Sequence, residues 1–248
     1  MANDLKGKIF LVTGASSGLG RAIATLLGKA EANVIAIARG EEGLAVTQER
    51  VEQAGGRCLC IPFNLLKMDD YGKLFLALKD QVPHLDGIVH CAGFLTRCAP
   101  MQYVKPKKFQ EMIDIHLTAP NLLTQMMFPL LKRSPAASVI FTSCDMATEN
   151  QSNWHGYGLA KRALPYVAAM WQDEHPDKAM RFNTINPGRM RTPMFERAYP
   201  GLAPDTVPVA MEIAPAFIYM LSETANAYRG QHLQAAELLT QFQAETFK

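Results

Sequence analysis

The sequence predicts an α/β fold in which about seven parallel strands form one doubly wound sheet between two layers of helices. Three observations support this prediction. Apolar runs of strand length alternate with helical patterns along the 248 residues, a glycine-rich turn joins the first run to the first helix, and no Pro/Gly/Ser-rich linker divides the chain. Because 48% of the residues are hydrophobic, the chain can bury a sizeable core. We expect a three-layer αβα sandwich that forms a single domain, residues 1–248.

The first half of the chain alternates strand and helix signals. The first strand contains the apolar run Ile9-Phe10-Leu11-Val12, and a helical pattern follows from Arg21 to Lys29. Strands are predicted at 8–13, 33–38, 57–62 and 86–91, and helices at 18–30 and 41–54. This alternation is typical of parallel strands joined by right-handed helical crossovers.

The second half continues the pattern. Helices are predicted at 107–132, 155–174 and 209–222, and strands at 138–143, 180–186 and 231–235. The second of these helices ends before Pro176. Four prolines, at 193, 200, 204 and 208, prevent a regular helix throughout 193–208. We predict an irregular loop near 189–210 that covers a bound substrate.

Charge and hydropathy exclude several classes of partner. A net charge of +2 gives no case for nucleic acid, and the cluster Lys105, Lys107 and Lys108 fits a solvated helix entrance better than a phosphate track. No apolar run reaches membrane-spanning length, and the polar segment Met1–Lys8 is unlike a secretory signal. We expect a cytoplasmic protein with no nucleic-acid or membrane partner.

The cysteines are expected to be reduced thiols. They are five in number, at 58, 60, 91, 98 and 144, and are scattered through predicted strands and loops. A C-x-C pattern without clustered histidines, as in Cys58-Leu59-Cys60, is more often strand packing than a metal site. No metal is predicted.

A glycine-rich loop after the first strand predicts a dinucleotide site. It reads Thr13-Gly14-Ala15-Ser16-Ser17-Gly18-Leu19-Gly20. Glycines at 14, 18 and 20 permit a tight turn, close backbone approach to a pyrophosphate and close helix packing, while the helix N-terminus offers N–H groups to the anion. No Gly-Lys-Ser/Thr follows, which argues against an ATP-binding loop, and the strand–turn–helix context disfavours a turn without a ligand.

Tyr157 and Lys161 form the second informative pair. Residues i and i+4 share one face of a helix, so the phenol and the ammonium lie side by side. A tyrosine alone titrates near pH 10, about three units above neutrality, but a neighbouring lysine and an oxidised nicotinamide both favour the phenolate. The pair therefore predicts an acid–base catalyst that protonates a carbonyl oxygen as hydride arrives. Without the glycine loop, coincidence on an amphipathic helix would be the better interpretation.

These motifs resemble the short-chain dehydrogenase/reductase family. That family's T-G-x-x-x-G-x-G, N-A-G and Y-x-x-x-K elements are matched by Thr13–Gly20, by Cys91-Ala92-Gly93 and by Tyr157–Lys161, and Asn186-Pro187-Gly188 with Thr192 adds a further match. Together the matches span most of the chain. The segments 85–90, 153–157 and 185–188 look most like the bacterial YciK-type oxidoreductases.

The resemblance implies a Rossmann-like, NAD(P)-binding domain. Lys161 would lower the pKa of Tyr157 and bind the nicotinamide ribose. The residues implied at the cofactor are Gly14, Ser16, Ser17, Gly18, Leu19, Gly20, Arg39, Asn64, Leu65, Cys91, Ala92, Gly93, Tyr157, Lys161, Pro187, Gly188 and Thr192. The helices at 107–132 and 155–174 are the family's usual subunit-pairing surface, so a homodimer or homotetramer is expected.

The residues at the end of the second strand favour NADP(H) as the cofactor. An acidic residue there would bind the ribose hydroxyls of NAD, but this chain has Ala38 followed by Arg39. A guanidinium is well shaped for the extra phosphate, and Ser16 and Ser17 lie nearby in the loop. NAD is therefore less favoured. The alternative is that Arg39 is only a surface cation.

Four positions depart from the family pattern. Cys144 replaces a serine that holds the substrate oxygen, and a thiol is a weak donor. Ser143 precedes it but points to the opposite face unless the strand twists. Cys91 replaces the first residue of N-A-G, and Asn64 replaces an aspartate near the adenine.

The fourth departure is His116, which replaces an asparagine whose main-chain carbonyl holds a relay water in the family. Pro120 has no N–H, so the carbonyl of His116 would lose its helical partner and could accept that water. The alternative is that His116 is a satisfied buried histidine and that the relay is absent.

Two functions remain open at this point. One is an NADP(H)-dependent oxidoreductase that acts on an apolar carbonyl or alcohol, and the other is a dinucleotide-binding scaffold or sensor with a degenerate catalytic site. The substitutions at 91, 116 and 144 favour the second function, whereas Tyr157 and Lys161 favour the first. Apolar residues expected near the mouth of the site, or equally in the core, are Phe94, Met146, Trp154, Met190, Met194, Phe195 and Tyr199.

Overall fold

The computed structural model describes residues 4–176 and 179–246, and within them the strands form one parallel sheet. The strands are β1 Ile9–Thr13, β2 Asn33–Ala38, β3 Arg57–Pro62, β4 Gly87–His90, β5 Ser138–Thr142, β6 Arg181–Asn186 and β7 His232–Gln234. Their order is β3-β2-β1-β4-β5-β6-β7, and every pairing is parallel. The predicted α/β class and the seven parallel strands are confirmed. The first three residues of the polar segment Met1–Lys8 lie outside the described residues.

Helices cover both faces of the sheet. They are α1 Gly18–Lys29, α2 Glu41–Gln53, α3 Tyr71–Lys79, α4 Pro106–Ile113, α5 Ala119–Leu131, α6 His155–Asp173, α7 Pro193–Ala198, α8 Ala210–Leu221 and α9 Ala235–Thr246. Alternate strand residues enter two separate cores: Phe10 and Val12 pack under α1 and α8, whereas Leu11 packs under α3 to α6. Because both faces of the central strands are buried, β1, β2, β4 and β5 are mostly apolar.

Four helical features differ from the sequence prediction. Neither α3 nor α9 was predicted, and the loop near 189–210 contains the short helix α7. The helix predicted at 107–132 contains a π turn, Asp114–Thr118, in which the N–H of Ala119 donates to the carbonyl of Asp114. Because Pro120 has no N–H, the regular ladder of helical hydrogen bonds is interrupted here, and the distortion lies around His116.

The described ranges contain no helix that is both long and apolar enough to cross a membrane.

The sheet positions a crevice between β1 and β4. These strands are neighbours, and the segments that follow them lead to helices on opposite faces, which leaves an opening at their carboxyl ends. Thr13 closes the base of the opening, because its Oγ1 accepts the backbone N–H groups of Cys91 and Ala92, each at 3.1 Å. Gly14 has φ +67°, and a Cβ there would lie 2.7 Å from the Cα of Ala92. A side chain at position 14 would therefore strain the turn and block this approach.

Candidate active site

A cavity of about 370 Å³ opens at the carboxyl edge of the sheet. All the residues predicted at the cofactor border it, as do the predicted catalytic residues. These are Gly14, Ser16, Ser17, Gly18, Leu19, Gly20, Arg39, Asn64, Leu65, Cys91, Ala92, Gly93, His116, Ser143, Cys144, Tyr157, Lys161, Pro187, Gly188 and Thr192. The fold thus brings together residues that lie up to 178 positions apart, from position 14 to position 192.

The glycine loop and the start of α1 form an anion-binding geometry. Ser17 occupies the N-cap, its hydroxyl makes no capping hydrogen bond, and the first turn of α1 has no acidic residue. The loop is held from behind by α2, since Thr47 Oγ1 donates to the carbonyl of Ala15 at 2.7 Å. It is also held by α1 itself, since Arg21 donates to the carbonyl of Ser16. Unpaired helix N–H groups and an exposed hydroxyl at such a position suit a pyrophosphate.

Arg39 lies at the end of β2 and is exposed. Its guanidinium carbon lies 5.6 Å from the centroid of the Phe94 ring, a cation–π contact that orients it along the cavity wall. Asn64 lies beyond the next strand, where its Oδ1 accepts the N–H of Leu66 at 3.1 Å. The acceptor of Asn64 is therefore engaged in a local turn, and its amide group remains as a donor.

Tyr157 and Lys161 are both buried at the base of the cavity, with 7% of each residue exposed. Lys161 Nζ donates to the carbonyl of Thr142 at 2.5 Å and lies 5.7 Å from the ring centroid of Tyr157. Burial, and then the neighbouring thiol of Cys144, raise the pKa of Tyr157 well above its ordinary value, while burial lowers the pKa of Lys161. Desolvation of the phenolate therefore outweighs the effect of Lys161 that the sequence predicted.

Cys144, not Ser143, is in contact with the catalytic pair. The thiol of Cys144 is close enough to the hydroxyl of Tyr157 to raise the pKa of that phenol, and burial raises the pKa of the thiol itself. The hydroxyl of Ser143 lies 3.4 Å from Nδ1 of His232 on β7. Neighbouring residues thus point in different directions, as expected for extended backbone. Cys144 is a neutral thiol at neutral pH, which makes it a weak donor and a poor redox sensor.

His116 is neutral, buried and fixed in one tautomer. Its Nε2 lies 2.8 Å from the carbonyl of Phe94, and because a carbonyl only accepts, Nε2 carries the proton and Nδ1 is the acceptor. Nδ1 is buried and has no partner among the described residues. Burial, and then the charge of Lys161, lower the pKa of His116 to about 3. Gly93 accommodates this ring, since a Cβ there would lie 2.4 Å from Cε1 of His116.

A second, small cavity of about 10 Å³ adjoins the catalytic pair. Its lining includes His116, Pro120, Thr142 and Lys161. This space is just sufficient for one ordered water, and the lining supplies the polar groups that such a water needs.

The carboxyl ends of β5, β6 and β7 are tied together behind the site. Asn186 Nδ2 donates to Asp145 and to Gln234, each at 2.8 Å, and Asn186 Oδ1 accepts the N–H of Gly188 at 2.9 Å. On the neighbouring pair of strands, the sulfur of Cys91 lies 3.6 Å from Thr142 Oγ1. Cys91 thus provides a weak tie between β4 and the end of β5.

The seven apolar residues proposed at the mouth all border the large cavity. The ring of Trp154 lies 5.4 Å from that of Tyr157 and 5.8 Å from that of Tyr199. Part of this wall is α7. Thr192 caps the start of this helix, because its Oγ1 accepts the N–H of Phe195 at 3.2 Å. The apolar wall therefore begins at the catalytic phenol and continues onto the loop.

Sequence reasoning missed five polar residues of the cavity: Thr142, Asp145, Gln151, Arg189 and Arg197. Arg189 follows the Pro187-Gly188 element directly, and that position was a usable signal. Arg197 had no such signal in the sequence, because an arginine in a proline-rich loop is most simply interpreted as a solvated cation.

Comparison with known proteins identifies the family. The short chain dehydrogenase family model matches residues 8–202, and the chain belongs to this family of oxidoreductases. It is 30% identical over 234 residues to the uncharacterized oxidoreductase YciK of Escherichia coli K12, which covers 93% of this chain and 92% of that one. The predicted resemblance to YciK-type oxidoreductases is confirmed.

Solved structures agree with this assignment. The E. coli YciK structure has a TM-score of 0.89 at 29% identity and covers 95% of this chain and 97% of that one. A protein from E. coli CFT073 that was crystallised as a complex with NADPH has a TM-score of 0.88 at 30% identity and covers 95% and 99% of the two chains.

Proposed function

We propose that the protein is an NADP(H)-dependent oxidoreductase that transfers hydride between nicotinamide and a carbonyl or alcohol substrate. The observation that carries this proposal is the convergence of the glycine loop, Tyr157 and Lys161 on one cavity. Packing of the fold does not require a phenol and an ammonium to be buried side by side next to an anion-binding loop, which favours a catalytic role for the pair. The binding domain is proposed to span residues 1–248, with the loop near 189–210 over the substrate.

The bound cofactor would supply the hydride, and the residues of this chain would supply the proton and the positions of the reactants. In reduction, the neutral phenol of Tyr157 donates its proton to the carbonyl oxygen as the carbonyl carbon accepts hydride, which yields the alcohol and the oxidised cofactor. The raised pKa of Tyr157 keeps the phenol protonated beforehand. Lys161 then stabilises the phenolate, and the buried wall excludes water.

Arg39 supports NADP(H) as the cofactor. Its guanidinium lies at the end of β2, and the chain has no acidic residue there to bind a free ribose. The NADPH complex of the E. coli relative gives independent support.

His116 is proposed to hold the proton path to Lys161 through the small cavity. A water there would accept from Lys161 Nζ and donate to Nδ1 of His116, the buried acceptor that lacks a partner. The substituted side chain would then replace the main-chain contact that the family resemblance implies. In this proposal Cys144 holds the substrate oxygen weakly, so turnover is slow but not absent.

The alternative function is a dinucleotide-binding scaffold or sensor. The raised pKa of Cys144 favours it, because a neutral thiol polarises a carbonyl poorly.

The experiment that tests the proposal separates binding from turnover. The purified protein is titrated with NADPH and NADH by fluorescence, and NADPH oxidation is then followed with a panel of quinones, aromatic aldehydes and diketones. We expect the protein to bind NADPH more tightly than NADH, and Arg39→Ala to bind NADPH about tenfold more weakly than the parent protein does. We also expect oxidation of NADPH that depends on an added carbonyl compound. Binding without turnover of any carbonyl would favour the scaffold, and absence of binding would overturn both functions.

A further inference from the structure

The mouth of the large cavity carries more positive than negative charge. Two exposed arginines border it on the loop side, Arg189 and Arg197, and within the described ranges neither forms an ion pair. The carboxylate that borders the cavity, Asp145, accepts a hydrogen bond from Asn186. Unpaired guanidinium groups around an apolar wall create a positive potential that faces a bound molecule.

Arg189 lies on the side of the cavity where the carbonyl compound would bind. Its guanidinium carbon lies 4.9 Å from the centroid of the Tyr199 ring. That ring contacts Trp154, which in turn contacts Tyr157. A continuous series of ring contacts thus leads from the catalytic phenol to the arginine. Arg39 lies elsewhere, at the end of β2 over Phe94.

Stacking on Tyr199 makes Arg189 suited to binding an anion. A guanidinium held against a ring has already lost part of its rotational freedom, so less entropy is lost when it forms hydrogen bonds. Its planar fork matches the two oxygens of a carboxylate or a phosphate.

We propose that the substrate is an apolar carbonyl compound that carries an anionic group, a carboxylate or a phosphate, and that Arg189 binds this group with the support of Arg197. The inference rests on the proposed reductase function. The carbonyl lies at Tyr157, the apolar body lies along Trp154 and Tyr199, and the anionic group lies at the mouth.

Matched substrates test the proposal. The rates with NADPH are measured for 4-formylbenzoate, for its uncharged methyl ester and for 4-formylphenyl phosphate. We expect kcat/KM to be about fivefold higher for an anion than for the ester, and we expect this preference to fall as the salt concentration rises. Of the two anions, the one with the higher ratio to the ester identifies the group.

Variants assign the preference to Arg189. Arg189→Gln is expected to remove most of the preference, and Arg189→Lys to keep part of it. Arg57→Gln is the control, because it removes an exposed arginine at the amino end of β3, away from the cavity. An unchanged preference in Arg189→Gln would overturn the proposal. So would a loss of NADPH affinity in Arg189→Gln that accounts for the whole fall in kcat/KM, because the arginine would then serve the cofactor.

A binding measurement keeps this test separate from that of the proposed function. The affinities of 4-(hydroxymethyl)benzoate and its methyl ester for the NADPH complex are measured by calorimetry in the parent protein and in Arg189→Gln. Tighter binding of the anion that depends on Arg189, without turnover of any aldehyde, would support the anion site and contradict the reductase. Turnover of the aldehydes without any charge preference would support the reductase and contradict the anion site.

Discussion

At the residue scale, burial decides the chemistry of the catalytic pair. The motif Tyr157 to Lys161 could be identified from the sequence, because i and i+4 spacing fixes their relative position. The direction of the shift in the pKa of Tyr157 could not, since it depends on desolvation by residues distant in sequence. Nor could the sequence predict that Nδ1 of His116 lacks a hydrogen-bond partner among the described residues, because the tautomer of this histidine is set by the carbonyl of Phe94.

Cys144 provides the most direct prediction at this scale. Cys144→Ser places a stronger donor beside the substrate oxygen, so we expect carbonyl reduction to increase about tenfold in kcat. The change also removes a group that raises the pKa of Tyr157. Alcohol oxidation requires the phenolate and increases as pH rises towards that pKa, so its pH profile should move to lower pH. The control is Cys98→Ser, which lies outside the cavity lining. If Cys144→Ser reduced carbonyls more slowly and the pH profile of alcohol oxidation did not move, this role of Cys144 would be contradicted.

At the element scale, the site depends on two turns that meet. The glycine loop after β1 and the 91–93 turn after β4 touch, and the distortion between α4 and α5 adjoins the same point. The glycine spacing was visible in the sequence. The π turn was not predicted, although Pro120 supplied its cause, because loss of one N–H does not specify how the helix rearranges. The helix α3 was missed although Tyr71, Leu74 and Leu78 repeat at helical spacing.

Gly14→Ala tests the contact between these turns. An added Cβ would meet the backbone of Ala92 at 2.7 Å in a left-handed conformation, so we expect the free energy of unfolding to fall by about 3 kcal/mol. NADPH affinity should fall with it. Urea denaturation measures the first effect and fluorescence titration the second. Gly40→Ala is the matched control, since a Cβ there meets nothing within 4 Å. Equal stability of the two variants would show that the turns do not require this glycine.

At the scale of the whole molecule, all seven strands of the sheet were predicted, whereas the predicted helical layers lacked α3 and α9. Periodicity and turn residues determine such an architecture locally. The surfaces that meet other molecules are less accessible to sequence reasoning. Leu159, Tyr166 and Met170 are exposed on α6, at spacings that place them on one helix face. Their exposure agrees with the predicted pairing of subunits through this helix.

The oligomeric state follows as a prediction. We expect a dimer or tetramer by light scattering, and Leu159→Glu with Tyr166→Glu should shift it to the monomer because two charges would be buried at the interface. Leu76→Glu on α3, whose side chain is similarly exposed, is the control. A monomeric parent protein would contradict the prediction, as would a double variant that assembles normally.

The central claim is that the buried phenol of Tyr157 donates the proton in a hydride transfer. Carbonyl-dependent oxidation of NADPH by the parent protein, by Tyr157→Phe and by the control Tyr103→Phe, an exposed tyrosine outside the cavity, tests it most directly. We predict that Tyr157→Phe loses about a thousandfold in kcat while NADPH affinity is retained, and that Tyr103→Phe keeps the parent rate. A Tyr157→Phe variant that oxidises NADPH at the parent rate would contradict the account.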